Sequence, residues 1–270
     1  MHKIIFSYLK KILIYYPKLA FALSDSRFFA SVTLYLKVLY FSFSRKFTKK
    51  GCGMVFDFKF NKKNFKLGLE NNLDLAVLIE IFVFNEYVWK PEHEVKTILD
   101  LGAHWGDTAI YYSCIFPEAE IIAVEPMSSS FKRLSDHVVR FDRIKALHAA
   151  LAEKTGMIDL FYSENSVGNS LTEREQSQSK VTVRAVTVSE IKKFAQVEKF
   201  DLVKFDIEGA EQALFTNPEI KNLSTSFIGE IHLDLIEMSL DEIRTTFEGF
   251  EVTFNFLKKN RYIMIATNKN

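Results

Sequence analysis

The chain has 270 residues and a mass of 31.3 kDa, enough for one large domain or two small ones and for a core that needs no metal or disulfide staple. With 35 Lys and Arg against 34 Asp and Glu the net charge is +1, which excludes a disordered polyelectrolyte and gives no whole-chain case for nucleic-acid binding. Two cysteines, Cys52 and Cys114, exclude a disulfide framework and a Cys-x-x-Cys zinc or redox site, so a reducing, cytoplasmic location is the default reading.

The near-neutral total hides an asymmetry. Residues 1–50 carry ten basic side chains against one acid, Asp25, a net +9 that leaves −8 for residues 51–270. On a helical wheel Lys3, Ser7, Lys10, Lys11 and Lys18 share one face, with Ile5, Leu9, Ile12, Leu13 and Tyr16 opposite. Pro17 is expected to bend or end that helix. A basic amphipathic segment of this kind reads as an element for an anionic membrane surface, at the inner face of the membrane, or as an ordinary helix packed on the main domain. The longest apolar stretch, Phe28–Ser44, is interrupted by Lys37, so no transmembrane helix is expected. No small-x-small site marks a signal peptide.

Lys49-Lys50-Gly51-Cys52-Gly53 is a breaker cluster and the expected boundary of this extension. Residues 51–96 then lead into the core: Val55–Phe60 and Phe65–Leu69 read as a hairpin around Asn61–Asn64, and Leu73–Tyr87 as a helix. In residues 97–270 short apolar runs alternate with helical patterns. The runs are Thr97–Leu101, Glu120–Glu125, Ile144–Ala150, Asp201–Asp206 and Ser226–Ile231. The helices are Thr108–Phe116, Ser128–Val139, Val188–Phe194 and Ala210–Phe215. Met157–Tyr162 and Val181–Thr187 read as extra strands, and Phe250–Phe256 with Tyr262–Thr267 as a terminal hairpin. Strands separated by helices of this length predict an α/β, doubly wound, mostly parallel sheet.

Three constellations carry chemistry. The first is Asp100-Leu101-Gly102-Ala103-His104-Trp105-Gly106-Asp107-Thr108, directly after a strand. Gly102 can turn the chain sharply and Gly106 lets the backbone approach a ligand at a helix start. The spacing lacks the middle glycine of the dinucleotide fingerprint, which counts against a nicotinamide-dependent oxidoreductase. Asp100 at the strand end suits a cationic amino group, and Glu125, closing the next strand, suits the hydroxyls of a ribose. Together they fit an amino-acid-bearing adenosine, S-adenosylmethionine.

The second constellation is Lys204-Phe205-Asp206-Ile207-Glu208-Gly209-Ala210-Glu211. Asp206 and Glu208 could serve as general base, hold a divalent cation or orient the donor, with the metal reading disfavoured; Glu211 reads as a complement to the helix dipole. The third is Gly229-Glu230-Ile231-His232, where His232 is a candidate proton acceptor near pH 7.

These runs, Ile98–Gly106, Val124-Glu125-Pro126, Lys204–Glu211 and Glu230–His232, resemble the FkbM family of S-adenosylmethionine-dependent methyltransferases over roughly residues 70–235. Asp206–Glu211 is the most family-specific segment. Gly168–Leu171 and Val183–Val188 are similar to the family's intermediate loop and strand. His104 departs from the pattern, which commonly has Asn. The resemblance implies a class I fold with seven strands, the last antiparallel. It also implies methyl transfer to a hydroxyl of a sugar, glycan or secondary metabolite. Asp100, Gly102, Ala103, Gly106, Asp107, Thr108 and Glu125 would hold the donor, and Asp206, Glu208 or His232 would take the proton. The rival reading within the same fold is a non-catalytic, membrane-associated binding module. Acceptor specificity is expected in the 163–180 loops.

Overall fold

The computed structural model describes residues 9–47, 53–162, 169–170 and 179–269. The first eight residues, most of the 49–53 cluster and nearly all of the 163–180 loops lie outside them. The chain divides into two compact units, Met1–Val88 and Trp89–Asn270, so the hairpin and the helix after it group with the N-terminal helices.

In the first unit the helix does not end at Pro17. A π-helical turn, Lys11–Tyr15, feeds a helix over Tyr16–Ala22 with the proline in its first turn. A first-turn proline has no helical N–H to lose, and the wider turn before it tolerates its ring. Tyr16 is buried, whereas Leu9 and Leu13, expected on the same covered face, are exposed. The 20-residue helix Phe28–Phe47 buries Leu34, Val38 and Phe41 and ties Ser42 Oγ to Tyr16 Oη at 2.9 Å. Lys37, which interrupts its apolar sequence, donates from Nζ to the Val55 carbonyl at 2.8 Å.

Strands β1 (Met54–Phe60) and β2 (Lys63–Leu69) form the hairpin, paired up to Phe60 opposite Lys63. The turn is therefore two residues, not four: Asn61 and Lys62, both left-handed with φ of 46° and 67°. That is the primed geometry matching the twist of paired strands. The next helix, Asn72–Phe82, is capped by Asn71, whose Oδ1 accepts from the N–H groups of Leu73 and Asp74. It stops short of Tyr87, and the chain turns through left-handed Asn85.

The second unit is the α/β body. Its strands are β3 (Thr97–Leu101), β4 (Glu120–Val124), β5 (Ile144–Leu147), β6 (Ala150–Leu151), β7 (Gly156–Tyr162), β8 (Asn169–Ser170), β9 (Ser179–Val186), β10 (Phe200–Phe205), β11 (Ser224–His232), β12 (Phe250–Lys258) and β13 (Arg261–Asn268). The main sheet is seven-stranded, in the order β12-β13-β11-β10-β3-β4-β5. Strand β13 runs antiparallel to both its neighbours, and the remaining pairs are parallel. Its inner strands are mostly apolar because both faces are covered, with Leu99, Leu101, Ile122, Val203, Phe205 and Phe227 in one core and Asp100 and Lys204 as buried charges.

The run expected as one strand over 144–150 breaks after Leu147. Strand β5 stays in the main sheet, while β6 joins β7, β8 and β9 in a separate four-stranded sheet. The parallel order brings the carboxyl ends of β3, β4, β10 and β11 to one edge, which is where open α/β sheets bind ligands.

Candidate active site

The loop after β3 is shaped by close contact with the loop after β10. Gly102 has φ +75°, and a Cβ built on it would stand 1.9 Å from the carbonyl oxygen of Asp206. No other residue type fits both that conformation and that space. The N–H groups of Gly102 and Ala103 both donate to the Val124 carbonyl at 3.0 Å, tying the loop to the end of β4. His104 follows with φ +49°, a left-handed conformation that Asn and His tolerate better than most residues, so His replaces Asn there without a steric conflict. Gly106, φ +94°, precedes the helix Asp107–Ile115.

Glu125 is buried behind this loop. Its Oε2 accepts from His104 N–H at 2.8 Å and its Oε1 from Met127 N–H at 2.9 Å. Burial pushes its carboxyl up to about 7, against the pull of those N–H groups, His104 and Lys204. A carboxylate has about four acceptor positions, so two remain for a pair of vicinal hydroxyls.

Asp107 lies buried at the helix start, where its Oδ1 accepts from Thr108 N–H at 2.7 Å and its Oδ2 stands 3.3 Å from His104 Nδ1. Burial alone would lower the His104 pKa, but the Asp107 and Glu125 carboxylates raise it. Asp100 is fully buried, with Oδ2 accepting from Thr108 Oγ1 at 2.6 Å and Oδ1 paired with Lys204 Nζ at 3.1 Å. Its carboxylate is thus held by Thr108 and Lys204. Lys204 also donates to the Gly102 carbonyl at 3.0 Å, so the pair braces the glycine loop from beneath. Burial opposes the lysine's charge, but Asp100, Asp206 and Asp107 hold it protonated.

The acidic cluster forms where β10 and β11 end. Asp206 and Glu208 are partly buried, and Glu208 adopts a left-handed φ of +48°, of the kind that collects at functional loops. His232, almost wholly buried, places Nδ1 2.7 Å from Glu211 Oε1. Its Nε2 faces Glu208 Oε2 at 3.5 Å, Glu230 Oε1 at 3.6 Å and Asp206 Oδ1 at 3.7 Å. Burial works against a charge on this ring, but Glu208, Glu211 and Asp206 push its pKa up to about 10. The carboxylates around the ring thus favour its charged form.

Burial, reinforced by Asp206, raises Glu230 to about 7, and Arg261 Nε, arriving from the antiparallel β13, stands 3.4 Å from its Oε1. The structure thus brings Asp206, Glu208 and His232 together as expected, and gathers the donor-loop residues at the neighbouring strand ends. Lys204, Glu211 and Arg261 carry functions that sequence reasoning missed. One signal was available: a lysine inside the apolar run Leu202–Phe205 must be buried, and a buried charge needs a partner.

A mostly parallel seven-stranded sheet with a glycine loop after β3, a buried glutamate after β4 and an acidic loop after β10 has the layout of the class I methyltransferase fold. The model of the methyltransferase FkbM domain matches residues 100–262, more than half of the chain, and the chain belongs to that family. The nicotinamide alternative is thereby set aside. Among curated relatives, the methyltransferase sdnD of Sordaria araneosa is 30% identical over 147 residues, which cover 42% of this chain and 57% of that protein. The 2-O-methyltransferase NoeI of Sinorhizobium fredii is 24% identical over 191 residues, covering 59% and 78%. Among solved structures, Aeropyrum pernix fibrillarin with bound S-adenosyl-L-methionine superposes with a TM-score of 0.45 at 18% identity, over 82% of this chain and 84% of that one.

The residues present fit the donor. Glu125 keeps two acceptor positions for hydroxyls, and the carboxylates suit a sulfonium cation.

Proposed function

We propose that this protein methylates a hydroxyl group of a sugar, glycan or secondary metabolite. The observation that carries the reading is the convergence of Asp206, Glu208 and Glu230 on His232, beside the loop that Glu125 and Lys204 hold in place. S-adenosylmethionine, when bound, would supply an electrophilic methyl group for the acceptor oxygen. The Gly102–Gly106 backbone and Asp107 hold the methionine part of the donor, and Glu125 accepts the ribose hydroxyls. Asp206, Glu208 or His232 takes the hydroxyl proton, with Glu211 holding the imidazole in place. Because the donor carries an activated methyl, most of the acceleration comes from alignment. The Sinorhizobium relative, a 2-O-methyltransferase, supports oxygen as the acceptor atom.

Calorimetric titration with S-adenosylhomocysteine tests the donor site: binding is expected, and Glu125→Ala should weaken it at least about tenfold. Absence of binding would remove the donor assignment. Labelled donor incubated with glycan, lipid and small-molecule fractions tests the reaction. Donor binding without label in any fraction would support a non-catalytic module.

A second observation favours a place at an anionic membrane surface. The helix Phe28–Phe47 leaves Phe28, Phe29, Leu36, Tyr40 and Phe43 exposed, Phe29 at 84%, in a segment that carries +9. No helix of the described residues is long and apolar enough to cross a membrane. An apolar stripe flanked by Lys and Arg lies in the headgroup region instead.

A further inference from the structure

We infer that Asp206, Glu208 and His232 form a binding site for a divalent first-row cation such as Mn2+. One ligand atom from each lies within 4.8 Å of the others. From His232 Nε2 the distances are 3.5 Å to Glu208 Oε2 and 3.7 Å to Asp206 Oδ1. Good hydrogen bonds from nitrogen run about 2.7–3.2 Å, so these contacts are too long for that. Ligands held about 2.1 Å from one ion stand roughly 3.0–3.5 Å apart at octahedral to tetrahedral angles, and the two separations from Nε2 lie within a few tenths of an ångström of that range.

The imidazole is held as a metal ligand is held. Glu211, fully buried, takes Nδ1 at 2.7 Å and fixes the ring so that Nε2 faces the two carboxylates. Glu230 adds an independent sign. More than nine-tenths buried, it aims Oε1 into the same space, and that atom has no hydrogen-bond partner among the described residues. Its nearest positive groups are Arg261 Nε at 3.4 Å and His232 Nε2 at 3.6 Å. Lys258 Nζ stands 4.0 Å from the same oxygen, and the four carboxylates around His232, those of Asp206, Glu208, Glu211 and Glu230, still leave negative charge in excess at this place.

Two carboxylates and one imidazole, whose Nε2 proton the ion displaces on binding, form a mixed hard and borderline set that suits Mn2+ or a similar ion better than Ca2+ or a thiophilic metal. The Asp-x-Glu spacing alone did not show this, because the third ligand arrives from the adjacent strand. The part the ion plays in turnover rests on the methyl-transfer reading: its open positions would take the acceptor's hydroxyl oxygen, and a vicinal diol would chelate it.

Mn2+ titrated into the full chain, followed by loss of the free-ion electron paramagnetic resonance signal, should bind one ion per chain. Electron spin echo spectra of the bound ion should show nitrogen modulation from an imidazole. Asp206→Asn and Glu208→Gln, each with its thermal melt checked, should weaken binding about tenfold or more. Glu248→Gln, at a side chain 87% exposed, should leave binding unchanged. No binding at millimolar Mn2+, bound Mn2+ without nitrogen modulation, or unchanged binding in both site variants would overturn the site. S-adenosylhomocysteine binding on the same sample reads the donor site separately, so its failure counts against the methyltransferase reading and leaves the metal result standing.

Discussion

Asp100 and Lys204 are charged side chains with almost no exposure, placed on adjacent central strands as partners in register. Removing one leaves the other charged in an apolar sheet. Lys204→Met is expected to lower unfolding free energy by about 3–5 kcal/mol, and Lys204→Met with Asp100→Leu to recover most of it. Urea unfolding of the two variants checks this, and equal losses in both would show that the pair is not coupled. Glu125 makes a prediction of opposite signs for folding and binding. Its carboxyl titrates near 7 when folded against 4.5 as its ordinary value. It therefore contributes stability below about pH 4.5 that is lost as pH rises through 7, because the charged form must then be buried. Donor binding that uses the ionised carboxylate should run the other way, weakening as pH falls below 7. Calorimetry with S-adenosylhomocysteine between pH 5.5 and 8.5 should show that slope, and Glu125→Gln should flatten it. At this scale the sequence identified the acids, since strand-end position and spacing are visible in one dimension. It did not show that Glu211 turns inward to His232, or that Asp100 is already occupied, because both depend on which strand lies next door.

Among the elements, the hairpin turn is the most direct test of local chemistry. Lys62 sits at φ 67°, a conformation in which a side chain costs about 1 kcal/mol. Asn-Gly is the preferred pair for a primed two-residue turn, so Lys62→Gly should stabilise the first unit by about 0.5–1 kcal/mol. A rise in its thermal midpoint checks this; a fall would mean that Lys62 contributes through its side chain. The alternation of apolar residues located β1, β2 and the parallel strands to within a residue or two. It overran the helix ending at Phe82 and joined β5 to β6, since periodicity carries no record of a left-handed Asn85 or of a strand changing sheets. The helix runs on past Pro17, an end there being one of the two expected effects, because a π turn precedes the proline and has no sequence signature of its own.

For the whole molecule, the net +1 is a sum over an acidic body and a basic, aromatic N-terminal segment. Each cationic side chain near anionic headgroups adds about 1 kcal/mol, so several together give reversible attachment that salt weakens. The full chain should co-sediment with vesicles containing phosphatidylglycerol at low salt, and much less with pure phosphatidylcholine. Phe29→Ser with Leu36→Ser should reduce that binding several-fold while leaving S-adenosylhomocysteine affinity unchanged. Equal binding to both vesicle types would remove the electrostatic part of this reading.

The carbonyl of Asp206 occupies the place where residue 102 would otherwise carry a side chain. The glycine loop and the acidic loop are thus separate in sequence and inseparable as building blocks. A chimera that takes either loop from a relative inherits a clash unless position 102 stays glycine and the partner backbone keeps its path. The natural unit of exchange in this enzyme is the pair of loops, more than a hundred residues apart along the chain.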